Sequence, residues 1–318
     1  MRLVRHLVDL PVEQLSRGSV VTIGAFDGLH LGHQKLLRRV VTKARAAGLQ
    51  SVVMSFEPTP REFFAAASPP ARLMRFREKF DALSEQGVDI FYCPRFGAAM
   101  RDIAADAFIR TILVHGLNAR HIVIGDDFRF ARKREGSYEH LLRCSTALRF
   151  TVEKTPSVVI AGVRASSTVI RDALRAGHLS QAATLLGRPY RMSGKIIKGR
   201  QVGRTLGFST ANVDLRRRQS AIMGIFAVRV SGLAEGLLDG VASVGTRPTF
   251  GLSKPILEVY LFDFDRDIYG EYIHVDFIAH LRNEEKFDSV ENLVAQMRID
   301  AENARSALAS DAALRSID

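Results

Sequence analysis

The chain has 318 residues, 47% hydrophobic and 25% charged, a composition typical of a globular protein whose length allows two domains with separate cores. We see no signal peptide and no apolar run near the ~20 residues of a membrane span, so we expect no membrane partner. The net charge of +11 is spread along the chain, and its densest runs lack interleaved aromatics, so small phosphorylated substrates are favoured over nucleic acid.

The first half of the chain predicts a Rossmann-like α/β domain. Residues 20–23 are a buried strand by composition, residues 33–47 place apolar side chains on one helical face, and residues 51–56 predict the next strand. This succession is a βαβ unit, which implies a parallel sheet. Further strands are predicted at 88–93, 121–124 and 158–161.

A glycine-rich turn, residues 24–33, separates the first predicted strand from its helix. Ligands bind at this edge of a parallel sheet, and the first N–H groups of a helix favour anions. His30 and His33 would point the same way on a helical turn and could donate hydrogen bonds to triphosphate oxygens. A capping or core role is the alternative for either histidine. The candidate nucleotide-binding residues here are Gly24, Phe26, Asp27, Gly28, His30, Gly32 and His33.

A second anion-binding element is predicted at residues 166–171, where hydroxyl groups and an arginine precede a helical pattern. Its members are Ser166, Ser167, Thr168 and Arg171. Taken alone, the three hydroxyl residues are only a helix cap.

The two elements together resemble the nucleotidyltransferase superfamily. The longer strings GAFDGLHLGHQ, FEPTPREF, GDDFRF and SSTVIRDAL are similar to the adenylyltransferase domain of the bacterial bifunctional riboflavin kinase/FAD synthetase family. The resemblance implies that the phosphate of FMN attacks the α-phosphate of ATP with Mg²⁺ present, and that His30, His33 and Arg171 act in catalysis. It also implies that the flavin and nucleotide sites are lined by Phe56, Pro58, Asp127 and Phe128.

Three residues of the first half depart from the pattern of that family. Thr59 stands where many relatives have histidine, and Ala25 where asparagine is common. Ala131 stands where a glycine usually follows the Asp-Phe-x-Phe motif, residues 127–130 in this chain. If the glycine expected at position 131 needs a positive φ, alanine adopts that backbone conformation at a cost.

Beyond residues 187–190 the pattern changes to short strands punctuated by glycine and proline, which predicts a small antiparallel β-barrel. Residues 225–230, 257–262 and 273–277 are among these strands. A helix with an apolar face from Val290 to Leu308 closes the chain, and Asp288 with Glu291 is its predicted N-terminal cap. We place the domain boundary between residues 185 and 186, giving domains 1–185 and 186–318.

The barrel carries its own candidate site. Residues 194–212 are predicted as a glycine-rich, basic loop that could lay N–H groups on phosphates. Thr210 and Asn212 would share one face of an extended chain and offer the oxygen ligands that Mg²⁺ accepts. Glu258 is a carboxylate in an apolar strand. If it is buried or half-buried it could act as a general base, and if exposed it is the polar side of the alternation.

These segments resemble the riboflavin kinase domain of the same family, and the likeness continues through residues 245–250 and the string LEVYLFDFDRDIYG. The resemblance implies transfer of the γ-phosphoryl group of ATP to riboflavin, with Glu258 as the base and Thr210 and Asn212 on the metal. ATP-binding residues would be Gly194, Lys198, Gly199, Gly203 and Arg204, and flavin-binding residues Arg247 and Pro248. Ser209 and Lys198 depart from the usual proline and histidine.

Three hypotheses follow from the sequence. The first is a cytoplasmic bifunctional enzyme that makes FMN from riboflavin and FAD from FMN with ATP and Mg²⁺, which the two lone cysteines, Cys93 and Cys144, suit. The second keeps only the adenylyltransferase, with the barrel as a flavin-binding module. The third is an RNA-binding or tRNA-charging protein, suggested by the high pI and by the His-x-Gly-His element at residues 30–33. The sequence does not give the oligomeric state.

Overall fold

The computed structural model of the chain describes residues 1–199, 207–249 and 252–315. Two compact units divide it. The first comprises Met1–Pro70 and Phe76–Ala165, and the second comprises Ala71–Arg75 and Ser166–Asp318. A short segment from the first half of the sequence, Ala71–Arg75, therefore belongs to the second unit.

The first unit is built on a six-stranded sheet whose neighbouring strands are all parallel. Its strands are β1 (Arg2–Val4), β2 (Ser19–Ile23), β3 (Gln50–Met54), β4 (Ile90–Tyr92), β5 (Ala119–Gly125) and β6 (Thr151–Thr155). Their spatial order is β1-β4-β3-β2-β5-β6. From β2 the chain adds β3 and β4 on one side, and it then returns to add β5 and β6 on the other side of β2. The switch point, where ligands bind in such sheets, therefore lies between β2 and β5.

Helices pack around this sheet. They are α1 (Val12–Leu15), α2 (Leu31–Ala47), α3 (Pro60–Phe64), α4 (Phe76–Glu85), α5 (Ala98–Arg101), α6 (Ala105–Ala107), a π-helix (Phe108–Gly116) and α7 (Tyr138–Leu148). The predicted helix at 33–47 is confirmed as α2, which buries its apolar face and ends at Gly48 in the left-handed conformation.

One predicted strand is in a different place. Residues 158–161 do not extend the main sheet: β7 (Val159–Ile160) pairs antiparallel with β8 (Val163–Arg164) in a separate hairpin. The sixth strand of the sheet is instead β6, whose sequence, TVEKT, is too polar to stand out as a strand. Its charged side chains are accommodated because it lies at the sheet edge, where Glu153 pairs with Arg39 and Lys43.

The second unit contains the predicted antiparallel barrel. Its strands are β9 (Tyr190–Ile197), β10 (Thr210–Asp214), β11 (Gly224–Leu233), β12 (Gly236–Thr249), β13 (Leu252–Leu261) and β14 (Tyr272–Arg282), closed in the order β10-β13-β12-β11-β14-β9. Alternate residues fill the interior; Leu257 and Val259, for example, are fully buried. Two helices, α8 (Ser167–Arg175) and α9 (Leu179–Leu186), precede the barrel in the chain.

The closing helix, α10 (Val290–Arg315), confirms the predicted C-terminal helix. Ala304 and Leu308 are buried against the outer face of the barrel. The predicted cap is wrong: Ser289, not Asp288, accepts the N–H of Asn292 on its hydroxyl. A hydroxyl one residue further along fits the N-cap position because its oxygen reaches the N3 amide.

Candidate active sites

The glycine-rich turn of the first unit follows β2 at the switch point of the sheet. Phe26, Gly28 and Leu29 have positive φ, and the side chains of Phe26 and Leu29 are buried, so the turn is fixed by packing. A Cβ at Gly24 would lie 3.1 Å from the ring of Phe26. Glycine at this position therefore lets the Phe26 ring fold back against the backbone.

His30 and His33 lie side by side where α2 begins. His30 is the N-cap, and its Nδ1 accepts the backbone N–H of His33 at 3.4 Å. The two imidazole rings are stacked, with centroids 3.7 Å apart and planes inclined by 20°. A Cβ at Gly32 would lie 3.1 Å from the His30 ring, which explains the glycine between the histidines. The capping role and the juxtaposition of the rings thus occur together.

Both imidazoles are neutral at physiological pH. Burial, with help from the charge of Arg164, lowers the pKa of His30 to about 4, while Asp27 opposes the shift. Burial, His30 and Lys79 hold the pKa of His33 well below its usual range. A neutral imidazole still donates one N–H, so these rings can bind phosphate oxygens, but the positive charge must come from elsewhere.

Two cations help to lower the pKa values of the imidazoles, and sequence reasoning missed both. Lys79 lies on α4 and is only 3% exposed, although an isolated lysine in a helix gives no sequence signal of burial. Arg164 lies on β8 and pairs with Asp126 at 3.1 Å and with Asp127 at 2.9 Å. Its position two residues before the predicted hydroxyl cluster was the available signal.

The residues predicted to bind flavin follow the strands on either side of β2. Phe56 and Pro58 come after β3, and Asp127 and Phe128 come after β5. The carboxyl ends of parallel strands meet at one edge, so the fold brings these residues to the edge that carries His30. Phe56 and Phe128 are half-buried and pack against the core of the unit. Both rings therefore pack against the core and remain partly accessible to solvent, and flavin binding by them stays a prediction.

Two departures from the family pattern have structural consequences. Thr59 caps α3, and with Glu62 it forms a capping box in which each side chain bonds the other residue's N–H. Ala131 has φ 63°, the left-handed region that favours glycine, so this alanine is strained where glycine was expected.

The predicted hydroxyl element lies in the second unit, at the start of α8. Ser166 is its N-cap and accepts the N–H of Val169 at 3.3 Å. Arg171 is buried, and its guanidinium donates to the backbone carbonyls of Ala71 at 2.6 Å and Ser167 at 3.1 Å. Arg171 therefore fastens the segment Ala71–Arg75. Arg217 acts alongside it and donates to the carbonyl of Arg72 at 2.7 Å.

Two glycines predicted to bind ATP in the barrel have packing roles. Gly194 lies within strand β9 rather than in a loop, which corrects the predicted start of the loop. A Cβ there would come 2.4 Å from the side chain of Val213 on β10, the strand paired with β9. Gly199 follows β9, and a Cβ there would come 2.2 Å from the side-chain amide of Asn212.

The structure describes only some of the other residues predicted to bind ATP or flavin in the barrel. The Nζ of Lys198 lies 5.9 Å from the centroid of the Tyr269 ring. Gly203 and Arg204 lie outside the described residues. The backbones of Arg247 and Pro248 pair with Lys254 and Ser253 in the β12–β13 ladder, and their side chains are outside the described part.

The three residues predicted for phosphoryl transfer are brought together on the barrel. Asn212 on β10 pairs directly with Glu258 on β13, and Thr210 pairs with Tyr260. Directly paired residues share a face, and their neighbours Leu257 and Val259 point into the core. Thr210, Asn212 and Glu258 therefore lie on the outer face. Glu258 is half-buried, which matches the condition set for a base.

The donor set of this outer face fits Mg²⁺. A threonine hydroxyl, an asparagine carbonyl and a carboxylate are hard oxygen ligands, and Asn212 and Glu258 are register partners. Ser243, which pairs with Glu258 from the other side, adds a hydroxyl that sequence reasoning missed. The pairing across three strands gives no signal in the linear sequence.

A parallel α/β unit and an antiparallel barrel, each with its own candidate cluster, are typical of a transferase with two catalytic domains. Comparison with known proteins agrees. Residues 12–169 match the FAD synthetase family, and residues 186–308 match the riboflavin kinase family. Among the described residues, no helix combines the length and apolar character needed to cross a membrane.

The chain is 43% identical over 305 residues to the bifunctional riboflavin kinase/FMN adenylyltransferase of Escherichia coli strain K12, covering 96% of this chain and 97% of that protein. It is 41% identical over 306 residues to the protein of the same name from Haemophilus influenzae, covering 96% and 99%. A crystal structure from Streptococcus pneumoniae, described as a macrolide-efflux protein, has a TM-score of 0.80 at 32% identity and covers 96% and 98%. The chain belongs to the bifunctional riboflavin kinase/FMN adenylyltransferase family.

Proposed function

We propose that this chain phosphorylates riboflavin to FMN at the barrel and adenylylates FMN to FAD at the α/β domain, with ATP as the donor in both steps. One observation carries the proposal: each domain holds its own candidate catalytic cluster, the stacked His30–His33 pair in one and the paired Asn212–Glu258 in the other. The second cluster favours this reading over a barrel that only binds flavin.

At the barrel, the 5′-hydroxyl oxygen of riboflavin forms a bond to the γ-phosphorus of ATP as the bond to the β–γ bridging oxygen breaks. Glu258 accepts the hydroxyl proton, and ADP leaves. Thr210 and Asn212 would hold Mg²⁺, which neutralises phosphate charge when bound. The transition state of this transfer is loose, so the pairing that fixes Asn212 beside Glu258 contributes mainly by positioning.

At the α/β domain, a phosphate oxygen of FMN forms a bond to the α-phosphorus of ATP as the bond from that phosphorus to the α–β bridging oxygen breaks, and pyrophosphate departs. The neutral imidazoles of His30 and His33 donate hydrogen bonds to phosphate oxygens, which matter most as charge develops on the leaving group. Lys79, whose charge also lowers the pKa of His33, would contribute positive charge that the imidazoles lack. Arg171 belongs to the same proposal as a catalytic residue, and its bonds to the carbonyls of Ala71 and Ser167 hold its guanidinium in place.

The remaining assignments belong to the same proposal. Phe56, Pro58, Asp127 and Phe128 line the FMN site of the transferase, and Arg247 and Pro248 the flavin site of the kinase. The functional domains are residues 1–185 and 186–318. We place the enzyme in the cytoplasm, with small molecules rather than nucleic acid as partners, and the +11 charge attracting phosphorylated substrates.

The test is a time course in which purified protein receives riboflavin, ATP and Mg²⁺ and the flavins are separated. FMN should rise first and FAD should follow. FAD from supplied FMN, without product from riboflavin, would confine activity to the transferase. Turnover of neither flavin, in protein with an intact circular dichroism spectrum, would refute the proposal. Tight, salt-sensitive RNA binding would then support the RNA-binding alternative.

A further inference from the structure

A group of three potential metal ligands lies in the first unit, on elements that neither proposed reaction uses. His140 and Cys144 lie four residues apart on α7 and therefore project from one face of the helix. Asp106 lies on α6, directly before the π-helix, and faces them. Within the described part of the chain, this is the group of three such residues whose ligand atoms converge.

The three ligand atoms are close enough to share one ion. Nε2 of His140 is 2.8 Å from Oδ1 of Asp106, and Sγ of Cys144 is 3.6 Å from the same oxygen. All three atoms lie within 4.8 Å of one another. A tetrahedral zinc ion with bonds of about 2.0–2.3 Å holds its ligand atoms roughly 3.3–3.6 Å apart. Small side-chain adjustments, without movement of the helices, would therefore give this spacing.

The chemistry of the donors selects the class of cation. An imidazole, a thiolate and a carboxylate form the mixed nitrogen, sulfur and oxygen set that suits zinc, whereas Mg²⁺ and Ca²⁺ prefer oxygen alone. The carboxylate and thiolate together neutralise a divalent ion. Burial and the nearby Asp106 carboxylate raise the pKa of the Cys144 thiol, and the charges of Arg110 and Arg143 act against that rise. The same two arginines repel the incoming ion.

The solvent exposure of the three side chains indicates what would serve as the fourth ligand of a tetrahedral ion. The Asp106 side chain is 69% exposed and that of His140 is 20% exposed, so solvent reaches the fourth position of a tetrahedral ion. A closed structural site would need a fourth protein ligand.

We propose that Asp106, His140 and Cys144 bind a divalent cation of the zinc class, with water as the fourth ligand. On binding, the Cys144 thiol loses its proton to solvent, and His140 binds through Nε2 as the tautomer protonated on Nδ1. The ion replaces the present hydrogen bonds between α6 and α7 with coordinate bonds. It therefore joins the two helices and stabilises the first unit by an amount that grows with the logarithm of the free ion concentration above the Kd.

Cobalt(II) is the probe, because a thiolate ligand gives it a near-ultraviolet charge-transfer band and tetrahedral geometry gives intense visible bands. The full chain, without an affinity tag and with Mg²⁺ in excess to occupy oxygen-only sites, is titrated with Co²⁺ and then with Zn²⁺. One equivalent of Co²⁺ should produce both sets of bands, and Zn²⁺ should abolish them. The Mg²⁺ site proposed on the barrel contains no sulfur and cannot produce the thiolate band.

Matched variants locate the site. Cys144→Ser should eliminate the charge-transfer band, and His140→Ala and Asp106→Asn should each weaken Co²⁺ binding by more than about tenfold. Cys93→Ala and His115→Ala, which alter the other cysteine and an exposed histidine of the same unit, should retain the bands. Zn²⁺ should also raise the melting temperature of the unmodified chain but not of Cys144→Ser. Cobalt bound without a thiolate band, a band that survives Cys144→Ser, or no binding would each overturn the proposal.

Discussion

Lowering the pH from 7 to 5 should destabilise the first unit through His30. The folded pKa of His30 is about 4, whereas the unfolded chain has the ordinary value of 6.5. Above pH 6.5 the imidazole is neutral in both states. Between pH 6.5 and 4 the unfolded state binds a proton that the folded state does not, so stability falls as the pH falls.

The magnitude follows from these two values. The full difference corresponds to about 3 kcal/mol, of which about 2 kcal/mol is lost between pH 7 and pH 5. His33, whose pKa is lowered by burial, His30 and Lys79, acts in the same direction. The loss of unfolding free energy calculated for His30 alone is thus a lower bound for the loss through His30 and His33 together.

The assay is urea unfolding, followed by circular dichroism at pH 7 and pH 5, of the unmodified chain and of His30→Asn. Asparagine keeps an N-cap acceptor but does not titrate. The variant should lose about 2 kcal/mol less than the unmodified chain on acidification. His115→Asn, at an exposed position, is the control and should behave like the unmodified chain. Equal acid sensitivity of His30→Asn and the unmodified chain would refute the assignment of a buried neutral His30.

Four further substitutions test single contacts. Gly32→Ala puts a methyl group 3.1 Å from an imidazole ring and should slow FAD synthesis at least about tenfold while FMN synthesis is unchanged, which product assays would show. Gly199→Ala, whose Cβ would come 2.2 Å from Asn212, should slow FMN synthesis and leave FAD synthesis from supplied FMN unchanged. Equal loss of FMN and FAD synthesis would contradict this expectation. Ala131→Gly should raise the free energy of unfolding by about 1 kcal/mol by relieving a positive φ, and a decrease measured by urea unfolding would argue against strain there. Arg171→Leu removes two hydrogen bonds to backbone carbonyls and should cost about 2–3 kcal/mol in thermal unfolding, whereas an unchanged melting temperature would contradict the anchoring role.

The fold was predictable where burial and periodicity coincide. The β2–α2–β3 succession carries apolar runs of the right lengths, and the barrel strands alternate as barrels require. The edge strand β6 was missed because Glu153 and Lys154 interrupt its apolar pattern. The role of the segment Ala71–Arg75 was also beyond prediction, because it depends on hydrogen bonds from residues far along the chain.

The candidate sites were predictable only as residue types. The motif around His30 identifies donors, but the loss of their charge depends on burial and on Arg164, which no spacing reveals. The pairing of Asn212 with Glu258 likewise depends on strand order, and a single sequence does not fix that order. The positive φ of Ala131, by contrast, was anticipated from the glycine expected at its position.

The central claim, two separate active sites in one chain, is tested most directly by two variants and their mixture. His30→Ala should convert riboflavin to FMN and stop there, and Glu258→Gln should make FAD only when FMN is supplied. A mixture of the two should make FAD from riboflavin, because FMN released by one variant is used by the other. If folded His30→Ala loses both activities, or if the mixture makes no FAD while each variant keeps its single activity, the account of two independent sites is contradicted.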